Sequence, residues 1–341
     1  MADKILIICP GHRSTFVRLD AETLSSLYPI EVLGIDQFSR PKIITVPIVI
    51  LGKFLRERIV AVVMWFSVPH LAPFIVILSK LFRKKIFVFT GGYDIAFVPE
   101  IRWGEMQSGW KRFLQRFALN HVDRVFTFSD FSKKDAAKYS HTVPTTTLYQ
   151  GVDTTWFKPG REKRMMVITT CVEINTSTII QKGIESVVES ARRLPQYEFV
   201  VIGQVVAHDR IAENLVSSAP QNVTFTQRYI SDEKLLRYYQ QAKVYVQVSA
   251  HEGFGIACAE AMACMCVPVG TFNTSLPEVI GDTGFLVKFA DLDATVEAIE
   301  KAMASTSLGT RARQRVVKLF DMRIRSERLK SEFLKLLQSK F

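Results

Sequence analysis

The sequence predicts an α/β protein built from two doubly wound domains, each a parallel sheet covered by helices on both faces. Three observations lead there. Short apolar, β-branched runs alternate with helical patterns along the whole chain, which is how buried parallel strands and their crossovers read. The alternation stops and restarts once, near residues 153–163. At 341 residues the chain is too long for one core of ordinary size and suits two. With 48% hydrophobic and 23% charged residues it is composed like a soluble globular protein.

In chain order, the first domain's strands are expected at residues 5–9, 30–34, 59–64, 86–90, 124–128 and 146–149. The second begins again at 165–170 and continues at 198–202, 223–226, 244–248 and 267–269, with one more strand ending at Val287. Residues 59–82 approach the ~20 apolar residues that a membrane span needs. Pro69, His70 and Pro73 divide them into a strand and a separate helix, so no span is expected. The apolar run after Met1 is too short for a signal peptide and reads as the first strand. Residues 311–337 read as one long basic amphipathic helix, with Val316, Leu319, Phe320, Leu329, Phe333 and Leu336 as core positions. The expected divisions are 1–158, 159–310 and a terminal helix, 311–341.

The net charge of +11 is uneven, with 20 Lys/Arg against 12 Asp/Glu in residues 1–150. A basic first half points to an acidic partner. A membrane surface or phosphorylated lipid comes first, because Lys80-Leu-Phe-Arg-Lys-Lys85 follows the apolar Leu71-Ala-Pro-Phe-Ile-Val-Ile-Leu78. A basic helix end that satisfies the helix dipole explains the same residues. Nucleic acid is not expected: no binding module is recognisable, and the basic residues are not interleaved with stacking aromatics. Cys9, Cys171, Cys258, Cys264 and Cys266 show neither a paired framework nor metal-site spacing. They read as buried free thiols in a reducing cytoplasm, without disulfide or structural zinc.

The most informative stretch is Ser249-Ala-His-Glu-Gly-Phe-Gly-Ile-Ala-Cys-Ala-Glu260. It holds two carboxylates, Glu252 and Glu260, with Gly253-Phe-Gly255 as a strand-to-helix turn whose N–H groups can face an anion. The plain alternative is a helix that starts after a glycine turn and carries two solvated glutamates. The chain continues Ala261-Met-Ala-Cys-Met-Cys-Val-Pro-Val-Gly270, then Leu276-Pro-Glu-Val-Ile-Gly-Asp-Thr-Gly-Phe-Leu-Val287. This block resembles the signature of the retaining glycosyltransferases of the GT-B fold, family 4 (glycosyl transferases group 1). Tyr149-Gln-Gly-Val-Asp153 and Trp156-Phe-Lys-Pro159 resemble the same family's interdomain connector, with Gln150 in place of the usual Asn.

The resemblance implies two Rossmann-like domains facing across a cleft, the second holding a nucleoside-diphosphate sugar and the first an acceptor. It implies hexosyl transfer with retention, no cofactor, no metal, and a last helix packed back on the N-terminal domain. Residue by residue, it assigns Glu252 to the sugar hydroxyls and Glu260 to the ribose, with Gly253, Phe254, Gly255 and Ile256 at the sugar and phosphate. Lys182, expected to open a helix after the strand at 165–170, takes the diphosphate, and Gly11 lies near the phosphates. Arg228 and Tyr229 stand where the family contacts the base, although capping by Ser231 or Asp232 explains those letters too. His12, Arg13, His70, Gly92 and Tyr93 fall on the acceptor side, with Asp94 to position or deprotonate the acceptor. A His beside two prolines is also a common turn residue.

Three departures stand out. The family's Arg just after the strand at 165–170 is absent from Thr169-Thr-Cys-Val-Glu-Ile-Asn-Thr-Ser-Thr178, so Arg161, Arg164, Arg228 or backbone and hydroxyl donors must replace it. Gly91-Gly-Tyr-Asp94 stands where many members have His, and Cys266 where Gly is usual. Front-face retaining transfer, as the resemblance implies it, needs orientation and charge stabilisation more than a strong base, so the missing His does not exclude activity. The rival readings are a nucleotide-sugar epimerase of the same fold and an inactive nucleotide-sugar-binding subunit. The expected location is cytoplasmic, at the inner face of the membrane. Nucleobase, sugar and acceptor stay open.

Overall fold

The structure is a computed structural model that describes residues 2–11, 15–37 and 45–338; His12 and Arg13 lie outside them. The chain forms two compact units, Met1–Tyr149 with Arg323–Phe341, and Gln150–Met322. In the first, β1 (Lys4–Cys9), α1 (Thr15–Ser25), β2 (Ile30–Gly34), α2 (Val46–Arg56), β3 (Ile59–Trp65) and α3 (Ala72–Leu81) are followed by β4 (Lys85–Thr90), α4 (Gly109–His121), β5 (Arg124–Thr127), α5 (Asp130–Ala137) and β6 (Thr145–Thr147). The second runs β7 (Arg164–Ile174), α6 (Thr176–Lys182), α7 (Ile184–Arg193), β8 (Glu198–Val205), α8 (Arg210–Ser217), β9 (Val223–Phe225) and α9 (Asp232–Gln241). It continues through β10 (Ala242–Gln247), α10 (Ile256–Ala263), β11 (Val267–Thr271), α11 (Leu276–Ile280), β12 (Phe285–Val287), α12 (Leu292–Ala304) and α13 (Leu308–Leu319), before α14 (Met322–Gln338).

Each unit holds a six-stranded sheet, in the orders β2-β1-β3-β4-β5-β6 and β12-β11-β10-β7-β8-β9, and the strand pairs are parallel. Every strand read from the sequence forms. Its cause is local: the runs are β-branched and apolar, and a strand buried on both faces needs apolar side chains at every position. In the first unit Leu6, Ile8, Val62, Met64, Ile86 and Val88 pack with α2 and α3 residues such as Ile50, Phe54 and Ile75. The alternate positions turn the other way, where Phe87 and Phe126 meet Phe333 of α14 at 5.3 and 6.0 Å between ring centres.

Arg325 anchors α14. Its guanidinium donates to both oxygens of Asp20, at 2.9 and 2.7 Å, and to the carbonyls of Leu148 and Tyr149. Asp20 also accepts from the Trp65 indole at 2.9 Å. Asp20 and Arg325 are both buried, and this network satisfies their charge where an unpaired ion would cost several kcal/mol.

The C-terminal stretch departs from the single helix expected over 311–337. It is two helices, interrupted at Phe320 and Asp321. Val152 donates to the Phe320 carbonyl at 2.8 Å and accepts from the Met322 N–H at 2.9 Å, so a strand-like bridge takes groups that a continuous helix would use. The Asp321 carboxylate accepts from the Thr154 hydroxyl. Val316, Phe320, Leu329 and Phe333 are buried, but Leu319 is exposed because the helix ends there, and Leu336 is half-buried. The units divide at 149/150 rather than 158/159. Residues 154 and 157 stay with the second unit, where Arg313 of α13 donates to the carbonyls of Thr154, Phe157 and Ala263. All five cysteines are buried and unpaired. Among the described residues no helix is long and apolar enough to cross a membrane.

Candidate active site

In parallel sheets, ligands bind beyond the carboxyl ends of the strands. At that edge of the second sheet, the loop from β10 to α10 carries Glu252. The end of α6 docks on the same loop: the Ala250 N–H donates to the Gln181 carbonyl at 2.8 Å, and the Gln181 amide to the His251 carbonyl at 2.6 Å. Gly183 permits this approach, since at φ +66° a β-carbon there would lie 2.4 Å from the Val248 carbonyl oxygen. Lys182 is thereby placed against Glu252, Nζ to Oε1 2.6 Å, with side chains 26% and 11% exposed. Burial pushes the Glu252 carboxyl up, but the Lys182 charge and hydrogen bond, with the neighbouring Ser249 and Gln247 side chains, outweigh it and hold the pKa below the ordinary value.

Lys182 closes a helix rather than opening one. β7 runs on to Ile174, and Asn175 then starts α6 with a capping box: its side chain accepts from the Thr178 N–H at 3.0 Å while the Thr178 hydroxyl accepts from the Asn175 N–H at 2.9 Å. The Thr176-Ser-Thr178 run is the first turn of that helix.

At the start of α10, Gly255 takes φ +90°, and a β-carbon there would sit 2.5 Å from Leu276 Cδ2. No side chain caps this helix, whose first-turn N–H groups lack intrahelical acceptors and present the positive end of its dipole. Around it, Gln247 Oε1 and Ser275 Oγ are buried without a hydrogen-bond partner. Each such group costs about 1–3 kcal/mol unless a polar ligand satisfies it. Sequence reading passed over both; a polar residue within the apolar run 244–249 was the signal for Gln247.

Glu260 lies in the second turn of α10 and accepts from the Tyr239 hydroxyl at 3.4 Å. Burial raises its pKa to about 8, Asp232 adding to the rise and the Tyr239 bond opposing it. Arg228 and Tyr229 are exposed in the loop between β9 and α9, and no hydrogen bond brings either to Glu252 or Glu260. The capping explanation of that loop is realised, since Ser231 accepts from the Lys234 N–H. Arg161 and Arg164 do not stand in for the missing family Arg. They flank the amino end of β7, opposite the ligand edge, and Arg164 pairs with Glu198 at 2.7 Å. Where the Arg was expected, β7 continues past a bulge after Thr170 to pair Glu173 with Gln204 and Ile174 with Val205.

In the first unit Gly11, His70 and Gly92 to Asp94 lie after the neighbouring strands β1, β3 and β4. Asp94 is buried and accepts from the Thr90 hydroxyl and the N–H groups of Gly92 (3.0 Å), Ser67 (3.3 Å) and Gly91 (3.4 Å). Burial raises its pKa against those bonds. Its carboxylate ties the loop after β4 to the loop after β3. Tyr93 is exposed, its ring meeting Trp103 edge-on. Partial burial lowers the His70 pKa, opposed by Glu105, and no hydrogen bond links His70 to Asp94. Among the described residues no group of three or more His, Cys, Asp or Glu is placed to hold a metal.

Residues 177–318, which contain the Lys182–Glu252 pair, α10 and Glu260, match the family model described as Glycosyl transferases group 1. The match covers less than half of the chain and falls within the second unit. Over 224 residues the chain is 28% identical to one of the phosphatidylinositol N-acetylglucosaminyltransferase subunits of Arabidopsis thaliana, which covers 63% of this chain and 50% of the plant protein. It spans less than two thirds of the length of the curated relatives it matches. Sucrose-phosphate synthase from Thermosynechococcus elongatus superposes with TM-score 0.82 at 18% identity over 100% of both chains. Anabaena Alr3699/HepE, solved in complex with UDP and glucose, gives 0.76 at 14% identity over 98% of this chain and 100% of that one. The fold that carries this match is therefore the two-domain GT-B fold.

Proposed function

We propose that the protein is a glycosyltransferase that moves a hexosyl group from a nucleoside-diphosphate sugar to a lipid-linked or membrane-associated acceptor, with retention and without a metal. The observation that carries this is the 2.6 Å Lys182–Glu252 pair beside the uncapped start of α10, with the unpartnered polar atoms of Gln247 and Ser275 nearby. A donor engages the pair and the helix start at once. Its diphosphate takes the Lys182 ammonium and the α10 N–H groups, a sugar hydroxyl takes Glu252, and Glu260 accepts from the ribose diol. As the C1–phosphate bond breaks, negative charge grows on the leaving oxygen, where a fixed cation and helix dipole stabilise it. The acceptor oxygen bonds to C1 on the same face, and its proton passes to that departing oxygen.

The plant relative's name supports a lipid acceptor, and the HepE complex makes UDP the first nucleotide to try. The absent Arg favours one second reading, a subunit that binds donor without turning it over. The test is Glu252→Gln, assayed in EDTA with donor and a lipid-linked acceptor panel. Turnover should fall about a hundredfold while nucleotide affinity stays within about threefold. Unchanged turnover would remove Glu252 from the sugar, and donor binding without turnover in the wild type would favour the second reading.

A further inference from the structure

The outer side of the α2–α3–α4 layer is not built like a solvated helix surface. Right-handed crossovers between β2, β3, β4 and β5 place these three helices on one face of the first sheet, and α3 packs against both neighbours. Their inner residues, including Ile50, Phe54, Ile75 and Val76, fill the core. Their outer positions should then be polar. Instead Phe74, Ile77 and Leu81 line the exposed side of α3 at i, i+3 and i+7, 56%, 52% and 73% exposed. The same spacing repeats on α2 with Ile48 and Leu55 and on α4 with Trp110 and Phe113, all more than half exposed.

Charge says what covers this face. None of the three helices contains an Asp or Glu, whereas they carry Lys53, Arg56, Lys80, Lys111, Arg112 and Arg116. Arg83 and Lys84 follow α3 directly. On α4, Arg112, Phe113, Arg116, Phe117 and His121 line a shallow groove of about 430 Å³, where cations and aromatic rings stand together. Lys53, Lys80 and Lys111 pair with Glu31, Asp123 and Glu105, but those acids stand outside the three helices. Apolar side chains ringed by an excess of cations match the boundary of an anionic bilayer, where acyl chains meet phosphates. Among the described residues no helix is long and apolar enough to cross a membrane.

We propose that the α2–α3–α4 face is a monotopic docking surface for anionic lipid bilayers, with Phe74, Ile77, Leu81, Trp110 and Phe113 inserting among the acyl chains and the flanking Lys and Arg residues binding lipid phosphates. This goes beyond the transferase reading and does not depend on it, since no donor-binding candidate lies on these helices.

The full chain is sedimented with vesicles of phosphatidylcholine alone or with about 30% phosphatidylglycerol. Binding should be at least about tenfold stronger to the anionic vesicles and weaken with salt. Phe74→Glu/Trp110→Glu should lose it about tenfold or more. Arg83→Glu/Lys84→Glu should lose the preference for phosphatidylglycerol. Because the replaced side chains are exposed or, for Lys84, half-buried, the variants should keep the wild-type melting curve and nucleotide-induced stabilisation. A folding failure is bypassed by fluorescence: wild-type emission should shift to the blue on anionic vesicles, and Trp110→Phe should still pellet without most of that shift. No pelleting at any composition, equal pelleting of the Glu variant, or self-association through this face without vesicle binding would each overturn the proposal. Failure here leaves nucleotide binding untouched, so the two readings fall separately.

Discussion

Lys182 and Glu252 neutralise each other across 2.6 Å in the free protein, and a donor must re-partition that pair between phosphate and sugar. Lys182→Ala should therefore act twice. It leaves a nearly buried Glu252 carboxylate without its cation, lowering stability by about 1–3 kcal/mol, and it removes most diphosphate affinity. Calorimetric titration with nucleoside diphosphate reads the second effect, and affinity within about twofold of wild type would contradict it. Glu260 makes a pH prediction. Its folded pKa, about 8, lies above the ordinary 4.5, so the folded state holds a proton that the unfolded state releases first. Stability from this neutral carboxyl is complete below the ordinary pKa and is lost as pH rises through about 8. The melting temperature should thus fall between about pH 5 and about pH 8.5 more steeply in the wild type than in Glu260→Gln, and superimposable profiles would refute the assignment. Ribose hydroxyls donate best to the ionised carboxylate, so nucleotide binding should release a proton in the same range.

At the scale of elements, Gly183 and Gly255 aim the site. Gly255 combines φ +90° with a 2.5 Å approach to Leu276, so Gly255→Ala should cost about 1–3 kcal/mol and displace the start of α10. Gly11→Ala, with no described atom within 4 Å of the added carbon, should change stability by less than about 0.5 kcal/mol. Thermal melts of the two variants make the comparison, and equal losses would contradict it. The strands were legible because their cause is written locally, in β-branched runs buried on both faces. The β10–α10 turn was legible for the same reason: polar, glycine-rich letters directly after an apolar run. α6 was not, because its start depends on Asn175 and Thr178 closing a capping box just after β7 runs past its bulge. The break at residues 320–322 was hidden because its cause is Val152, some 170 positions earlier in the chain. Ser275 was hidden likewise, since its burial is created by packing rather than announced by spacing.

Over the whole molecule, the chain leaves its first unit at Tyr149 and returns to it at Arg323. The return rests on the buried Arg325–Asp20 pair and on Phe333 between Phe87 and Phe126. Arg325→Ala strands a buried Asp20 and should cost about 3–5 kcal/mol in denaturant unfolding, more than Asp20→Asn, which keeps hydrogen-bonding capacity. A loss under about 1 kcal/mol would mean that the pair does not hold α14. Acceptor-side chemistry stays the least legible part: Asp94, read as an acceptor residue, is buried under four hydrogen-bond donors, a role that only tertiary packing reveals. Everything proposed for the reaction rests on the second unit binding a nucleoside-diphosphate sugar at Lys182, Glu252 and the start of α10. Thermal-shift titration of the full chain against UDP, GDP, ADP and their hexose conjugates probes that binding, because a ligand that binds only the folded state raises stability by mass action. One base series should stabilise the protein, at least about tenfold more weakly in Lys182→Ala and in Glu260→Ala. No stabilisation by any member, or full stabilisation of both variants, would contradict the placement of the donor.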